Sequence, residues 1–248
     1  MDKCPTGIPG LDDLLEGGFP RGRVILVAGD CGTGKSIMGM QFLHNGVVNF
    51  DEPGILVSLE QSPEMYREDM LSMGFDIGRL EREGKLIIID ASLSGLGVQK
   101  KKGDFTLTPE HFSIDAILAL ISEAAKKIGA KRAVVDSFSA LDSILESRKS
   151  RVGIELREDI RRAILSINYK LEDMKLTSLL ISDILENKLS THGVEEFMVD
   201  GVITLHYTTA GADAGRHLVI KKMRTIKHSE NIHQIVFEKG SGMKVLKA

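Results

Sequence analysis

Eight residues, Gly29-Asp30-Cys31-Gly32-Thr33-Gly34-Lys35-Ser36, fit the spacing G-x-x-x-x-G-K-S/T. The chemistry of that pattern is the holding of a triphosphate. Gly29, Gly32 and Gly34 let the chain turn and bring backbone N–H groups close to phosphate oxygens, and the helix that follows points its positive end at the anion. Lys35 is expected to reach the β and γ phosphates and the Ser36 hydroxyl to hold Mg²⁺, with the contact set running from Gly29 through Asp30, Cys31, Gly32, Thr33 and Gly34 to Ile37.

A metal on a triphosphate needs a second protein anchor, usually a carboxylate ending an apolar strand. Three segments supply one: Asp136 in AVVDS, Asp90 in LIIID and Asp183 in LLISD. Spacing leaves all three open; Asp136 is favoured because Ser-Phe-Ser rather than an insertion follows it. Hydrolysis also needs a group to orient water. Glu60, closing ILVSLE, is placed for that where strand C-termini line a ligand crevice, though it could equally begin the turn before Ser62. A further cluster, Lys221 to His228, puts Lys222 and Arg224 at alternating positions of a strand, with His228 beyond. It reads either as a solvated edge or as cations aimed at a phosphate, including a neighbouring subunit's.

The elements that must position these groups can be read from periodicity. Apolar, β-branched runs predict buried strands at Gly22–Asp30, Gly54–Glu60, Lys85–Asp90, Lys131–Ser137 and Leu176–Asp183. Helices are expected from Lys35 to Asn49, from the capping sequence Ser62-Pro63-Glu64, over Ser113–Ile128, and from Gly153 to Met174. Residues 91–111 are polar and glycine-rich and read as an exposed insertion. After Asp183 the strands follow one another without helices. The expected fold is α/β: a parallel βαβ core with an antiparallel C-terminal edge, in one domain spanning residues 1–248.

Composition narrows the function. A net charge of −3 gives no global basic field, so nucleic acid is not an expected partner. The longest apolar runs are strand-length and the N-terminus lacks the plan of a secretory signal, so a cytoplasmic protein with no membrane partner is expected. Two cysteines, Cys4 and Cys31, make neither a disulfide framework nor a zinc quartet. Met38, Met40, Met65 and Met70 read as core and interface packing.

Three stretches carry a resemblance. TGIPGLDDLLEGGFPRGRVILVAGDCGTGKS (Thr6–Ser36), GVEEFMVDGVITL (Gly193–Leu205) and KKMRTIKHS (Lys221–Ser229) are similar to signatures of KaiC-like ATPases of the RecA superfamily. The likeness covers essentially the whole chain and includes archaeal single-domain relatives.

The resemblance implies a RecA-like P-loop fold assembling into rings, usually homohexamers, with ATP and Mg²⁺ between subunits. It implies that Glu60 is the first of two catalytic glutamates, and Gln61 occupies the second position, which points to slow turnover. It implies that Asp136 is the Walker B carboxylate. Lys222, Arg224 and His228 match positions that reach an adjacent subunit's nucleotide, although Thr225-Ile226 replaces the usual Gly-Thr. Glu196 and Phe197 stand where phosphorylated relatives carry hydroxyls, so no autokinase activity is expected there. The expected activity is a slow, regulatory ATPase with an unidentified protein partner. The alternative is a Rad-type recombination mediator binding single-stranded DNA; the loop Ile184–Gly193, with Glu186, Lys188 and His192 but no aromatic residue, speaks against it.

Overall fold

The computed structural model describes residues 2–92, 105–106, 113–140, 154–184, 190–191, 193, 195–209 and 214–247. The expected apolar runs are strands and the amphipathic stretches are helices. In chain order the described elements are β1 (Lys3–Cys4), α1 (Leu11–Leu14), β2 (Phe19–Pro20), β3 (Val24–Gly29), α2 (Lys35–Phe50), β4 (Gly54–Ser58), α3 (Pro63–Ser72) and α4 (Ile77–Arg82). They continue with β5 (Leu86–Asp90), α5 (Ile114–Ile128), β6 (Arg132–Asp136), a 3₁₀ turn (Phe138–Ala140), α6 (Ile154–Asp173), β7 (Thr177–Asp183), α7 (Glu195–Met198), β8 (Gly201–Thr208), β9 (Gly215–Met223), β10 (Ile232–Glu238) and β11 (Gly242–Val245).

The main sheet has the order β11-β10-β9-β8-β3-β7-β6-β4-β5. From β5 across to β8 every pair is parallel, and β8 to β11 pair antiparallel. The predicted parallel core with an antiparallel C-terminal edge is therefore the observed fold. Strand residues alternate between two buried faces, as a sheet covered on both sides requires. Ile25 and Val27 join the cluster under α2, α3 and α4, while Val24, Leu26 and Ala28 join the one under α5 and α6.

Local signals set the helix starts. The Ser62 hydroxyl accepts from the Met65 N–H at 3.4 Å, with Pro63 in the first turn. The Ser113 hydroxyl accepts from the Ala116 N–H at 3.0 Å, and Gly129, at φ +64°, ends the same helix.

Two expectations need correction. Phe105, inside the stretch read as an exposed insertion, is buried against α5-side core residues, and its carbonyl accepts from the Asp90 N–H at 3.0 Å. Its aromatic ring outweighs its polar neighbours. Most of the remainder of 91–111 lies outside the described residues, as do Glu186, Lys188 and His192. Second, β9 ends at Met223, so Arg224 lies in the following turn rather than on the strand beside Lys222. The ladder with β8 also shifts register between Val202 and Ile203, which breaks a simple alternation of faces. Among the described residues no helix is long and apolar enough to cross a membrane.

Candidate functional site

The loop between β3 and α2 opens onto a cleft of about 730 Å³ at the C-terminal end of the parallel strands. Asp30, Cys31, Gly32, Gly34, Lys35, Ser36 and Ile37 line it from the loop. Gly32 and Gly34 hold φ of +74° and +99°, a region that penalises any side chain. Gly34 has a second reason to lack one: a Cβ there would run into the ring of Phe237.

Lys35 is buried, and its ammonium donates to the Gly29 and Asp30 carbonyls at 2.9 Å each. It also pairs with Asp183 Oδ1 at 2.9 Å. The lysine is thus folded onto its own loop, and it must exchange these partners to reach a phosphate.

The three candidate acids separate cleanly. Asp90 ends β5, the outermost strand, where its carboxylate accepts from the Ser92 N–H and hydroxyl. It takes no part in the cleft lining. Asp183 and Asp136 both line the cleft, ending β7 and β6. Asp183 is half-exposed and paired with Lys35. Asp136 is buried, lines the cleft together with Ser36, and accepts from the Tyr66 phenol at 2.8 Å. Burial raises its pKa, against the Ser36 and Tyr66 donors.

Glu60 lies beyond the end of β4 and lines the same cleft, its carboxylate accepting from the Ser137 hydroxyl. The peptide between Asp136 and Ser137 is cis. Leu59 N–H donates to the Asp136 carbonyl at 2.7 Å, so the segments carrying the two acids are tied at the backbone. Gln61 points away, its amide 3.4 Å from Asp69.

Ser36 and Asp136 supply two hard oxygen donors, and no group of three or more His, Cys, Asp or Glu side chains suited to a metal occurs among the described residues. Such a pair suits a cation that keeps water and takes its other ligands from phosphate, as Mg²⁺ does.

Two cleft residues carried no sequence signal. Arg216, at the start of β9, donates to the Gly32 carbonyl at 3.1 Å and stacks on Tyr207 and Phe237 at 5.1 and 5.4 Å. Phe237 arrives from β10. The antiparallel return of the chain brings both to the glycine loop, and local periodicity does not reveal that pairing.

The basic cluster is elsewhere. The Arg224 N–H donates to the Asp200 carbonyl, and the Asp200 N–H to that of Val24, at the first residue of β3. The glycine loop follows the last residue, about 16 Å along the strand. Within one subunit the two sites occupy opposite ends of the sheet. Lys222 donates to the Glu196 and Val199 carbonyls at 3.1 and 2.6 Å, and desolvation lowers its pKa. The Arg224 guanidinium is exposed, 3.7 Å from the Asp200 carboxylate. His228 Nδ1 lies 3.1 Å from the Ser229 carbonyl.

A glycine-rich turn between a parallel strand and a helix, with a buried acid two strands away, defines a P-loop nucleotide-binding domain. Comparison with known proteins places it further: the family profile described as "ATPase: KaiC" matches residues 4–248, and the chain belongs to that family. It is 37% identical to a UPF0273 protein of Aeropyrum pernix, over 94% of this chain and 89% of that one. It is also 33% identical to the circadian clock oscillator protein KaiC of Thermostichus vulcanus, over 97% of this chain but only 43% of the longer protein. The crystal structure of a KaiC-like protein from Pyrococcus horikoshii superposes with a TM-score of 0.81 at 32% identity, covering 99% of both chains.

Proposed function

We propose that this protein is a slow, Mg²⁺-dependent ATPase built as a single domain, whose nucleotide lies between subunits of a homo-oligomeric ring. The observation that carries the reading is the convergence of Lys35, Ser36, Asp136 and Glu60 on one cleft. Backbone N–H groups of Gly32–Ser36 bind the phosphates, and Lys35 exchanges Asp183 for their charge. Ser36 and Asp136 hold the metal, which supplies charge neutralisation on the triphosphate. Glu60 accepts a hydrogen bond from the attacking water and orients it, and Ser137 steadies the carboxylate. Gln61 provides no second carboxylate, which supports slow turnover.

The distance of Arg224 from its own loop supports a role across the interface. A cation at the far end of the sheet serves a nucleotide only when another copy presents one. Lys222, bound to the Val199 carbonyl at that end, is assigned the same role, and so is His228. A hexamer fits the family best, with a regulatory protein partner reading the nucleotide state. Glu196 and Phe197 lie in α7 and offer no hydroxyl, so autophosphorylation there is not part of this function.

The test is paired. Hydrolysis of ATP is followed with Mg²⁺ and with EDTA, and the mass in solution is measured with and without ATP and Mg²⁺. Metal-dependent turnover that Lys35→Ala abolishes, together with nucleotide-dependent assembly, supports the proposal. A monomer under all conditions contradicts the shared site.

A further inference from the structure

Tyr66 is a buried residue on α3 that the hydrolytic scheme does not use. Its ring is 2% exposed within the core cluster under α2 and α3. Its hydroxyl reaches the cleft acid, donating to Asp136 Oδ2 at 2.8 Å.

A buried tyrosine must satisfy its hydroxyl, and a backbone carbonyl would ordinarily serve. Here the partner is the most deeply buried acid of the cleft. α3 begins directly after Glu60, Gln61 and Ser62, and the Ser58 hydroxyl donates to the Gln61 carbonyl at the same turn. With the Leu59–Asp136 backbone bond and the Ser137–Glu60 bond, the phenol completes a circuit around both acids.

We infer that Tyr66 is a positioning residue that fixes the Asp136 carboxylate for metal binding. This rests on the proposed role of Asp136 as a metal ligand. The phenol commits Oδ2 and fixes the plane of the carboxyl group, leaving Oδ1 to serve a cation. A hydrogen bond from a neighbouring side chain orients a ligating carboxylate, and losing such a partner typically weakens metal affinity about 10- to 100-fold.

The experiment measures Mn²⁺ binding by electron paramagnetic resonance to the intact protein saturated with ADP. Wild type, Tyr66→Phe and Asp136→Asn are compared, with ADP affinity in EDTA measured in parallel. Tyr66→Phe is expected to weaken Mn²⁺ about tenfold while ADP affinity in EDTA stays within about twofold. Unchanged Mn²⁺ affinity in Tyr66→Phe, with Asp136→Asn impaired, overturns this inference and leaves the ATPase reading intact. Unchanged Mn²⁺ affinity in Asp136→Asn overturns the metal role of Asp136 and this inference with it. An equal loss of ADP affinity in EDTA shows that Tyr66 only packs. Should Tyr66→Phe fail to fold, ¹⁹F resonances of 3-fluorotyrosine protein give the readout, assigned through Phe substitutions at the exposed Tyr169 and Tyr207. Adding Mg²⁺ to the ADP complex is expected to move the Tyr66 signal and not that of Tyr169; a stationary Tyr66 signal overturns the inference.

Discussion

The ammonium of Lys35 and the carboxylate of Asp183 lie 2.9 Å apart, so the lysine proposed to bind phosphate is already paired with an acid at the end of the adjacent strand. A triphosphate must displace that acid, and its own charge is repelled by it. Asp183→Asn is therefore expected to tighten ATP binding. Because the Asp183 side chain is 44% exposed, solvent screening limits the gain to about 1 kcal/mol, or about fivefold at low salt. The gain should shrink as salt is added. Calorimetric titration at two salt concentrations checks it, and weaker binding would assign Asp183 a supporting role instead.

Glu60→Gln keeps an acceptor for the Ser137 hydroxyl but removes the charge proposed to polarise water. Turnover is expected to fall about 100-fold or more, with ATP affinity nearly unchanged. Single-turnover kinetics separates the two effects. Retained turnover would leave Glu60 as a turn former.

Arg132 is fully buried and holds three segments together. It donates to Glu52, to the Phe42 carbonyl at 2.9 Å and to the Pro5 carbonyl at 2.8 Å, while Arg21 meets the other Glu52 oxygen at 2.6 Å. Gly46 is small because a Cβ there would meet the Arg132 side chain at 2.5 Å. Arg132→Met leaves Glu52 and both carbonyls short of a donor, and is expected to cost about 3–5 kcal/mol. Adding Glu52→Leu should recover part of the loss, which a urea-unfolding double-mutant cycle measures.

Stability should fall with acid in two steps. Burial lowers the His44 pKa, with Arg79 adding to the effect against the Asn45 hydrogen bond. Burial likewise lowers that of His206. A depressed histidine favours the neutral ring in the fold, so its contribution is present above about pH 6.5 and is lost as pH falls below it. Burial alone would raise the Glu52 pKa, but the hydrogen bonds from Arg21 and Arg132 outweigh it and the net shift is downward. Its contribution holds above the ordinary carboxylate range and is lost as pH falls through the depressed value. Glu172, raised by burial and by Asp200, has the opposite sign and favours the fold as acid is added. Urea midpoints from pH 7.5 to 3.5 should show the first step reduced in His44→Gln and the second in Glu52→Gln.

The glycine loop was legible because its pattern is contiguous and sits between a strand and a helix. The cap at Ser62 was legible for the same local reason. Asp136 was favoured over Asp90 on the residues that follow it; strand order, which puts β5 outermost and β6 two strands from the loop, is what the sequence does not show. Arg216 and Phe237 were invisible because antiparallel pairing carries them to Gly32 and Gly34 from about 200 residues away in sequence. Tyr66 resembled any apolar helix position, since only the fold aims its hydroxyl at Asp136. Arg224 falls in a turn because its partner strand β8 begins at Gly201, opposite Met223, an end point that alternating residue types do not encode.

In the proposed ring, Lys35 of one subunit and Arg224 of the next serve one nucleotide. Lys35→Ala and Arg224→Ala proteins are mixed, dissociated and reassembled at several ratios, and ATP hydrolysis is measured. At equal proportions about a quarter of the interfaces pair an intact loop with an intact arginine, so about a quarter of wild-type turnover should return. Turnover no greater than the sum of the two separate variants at every ratio would contradict the account.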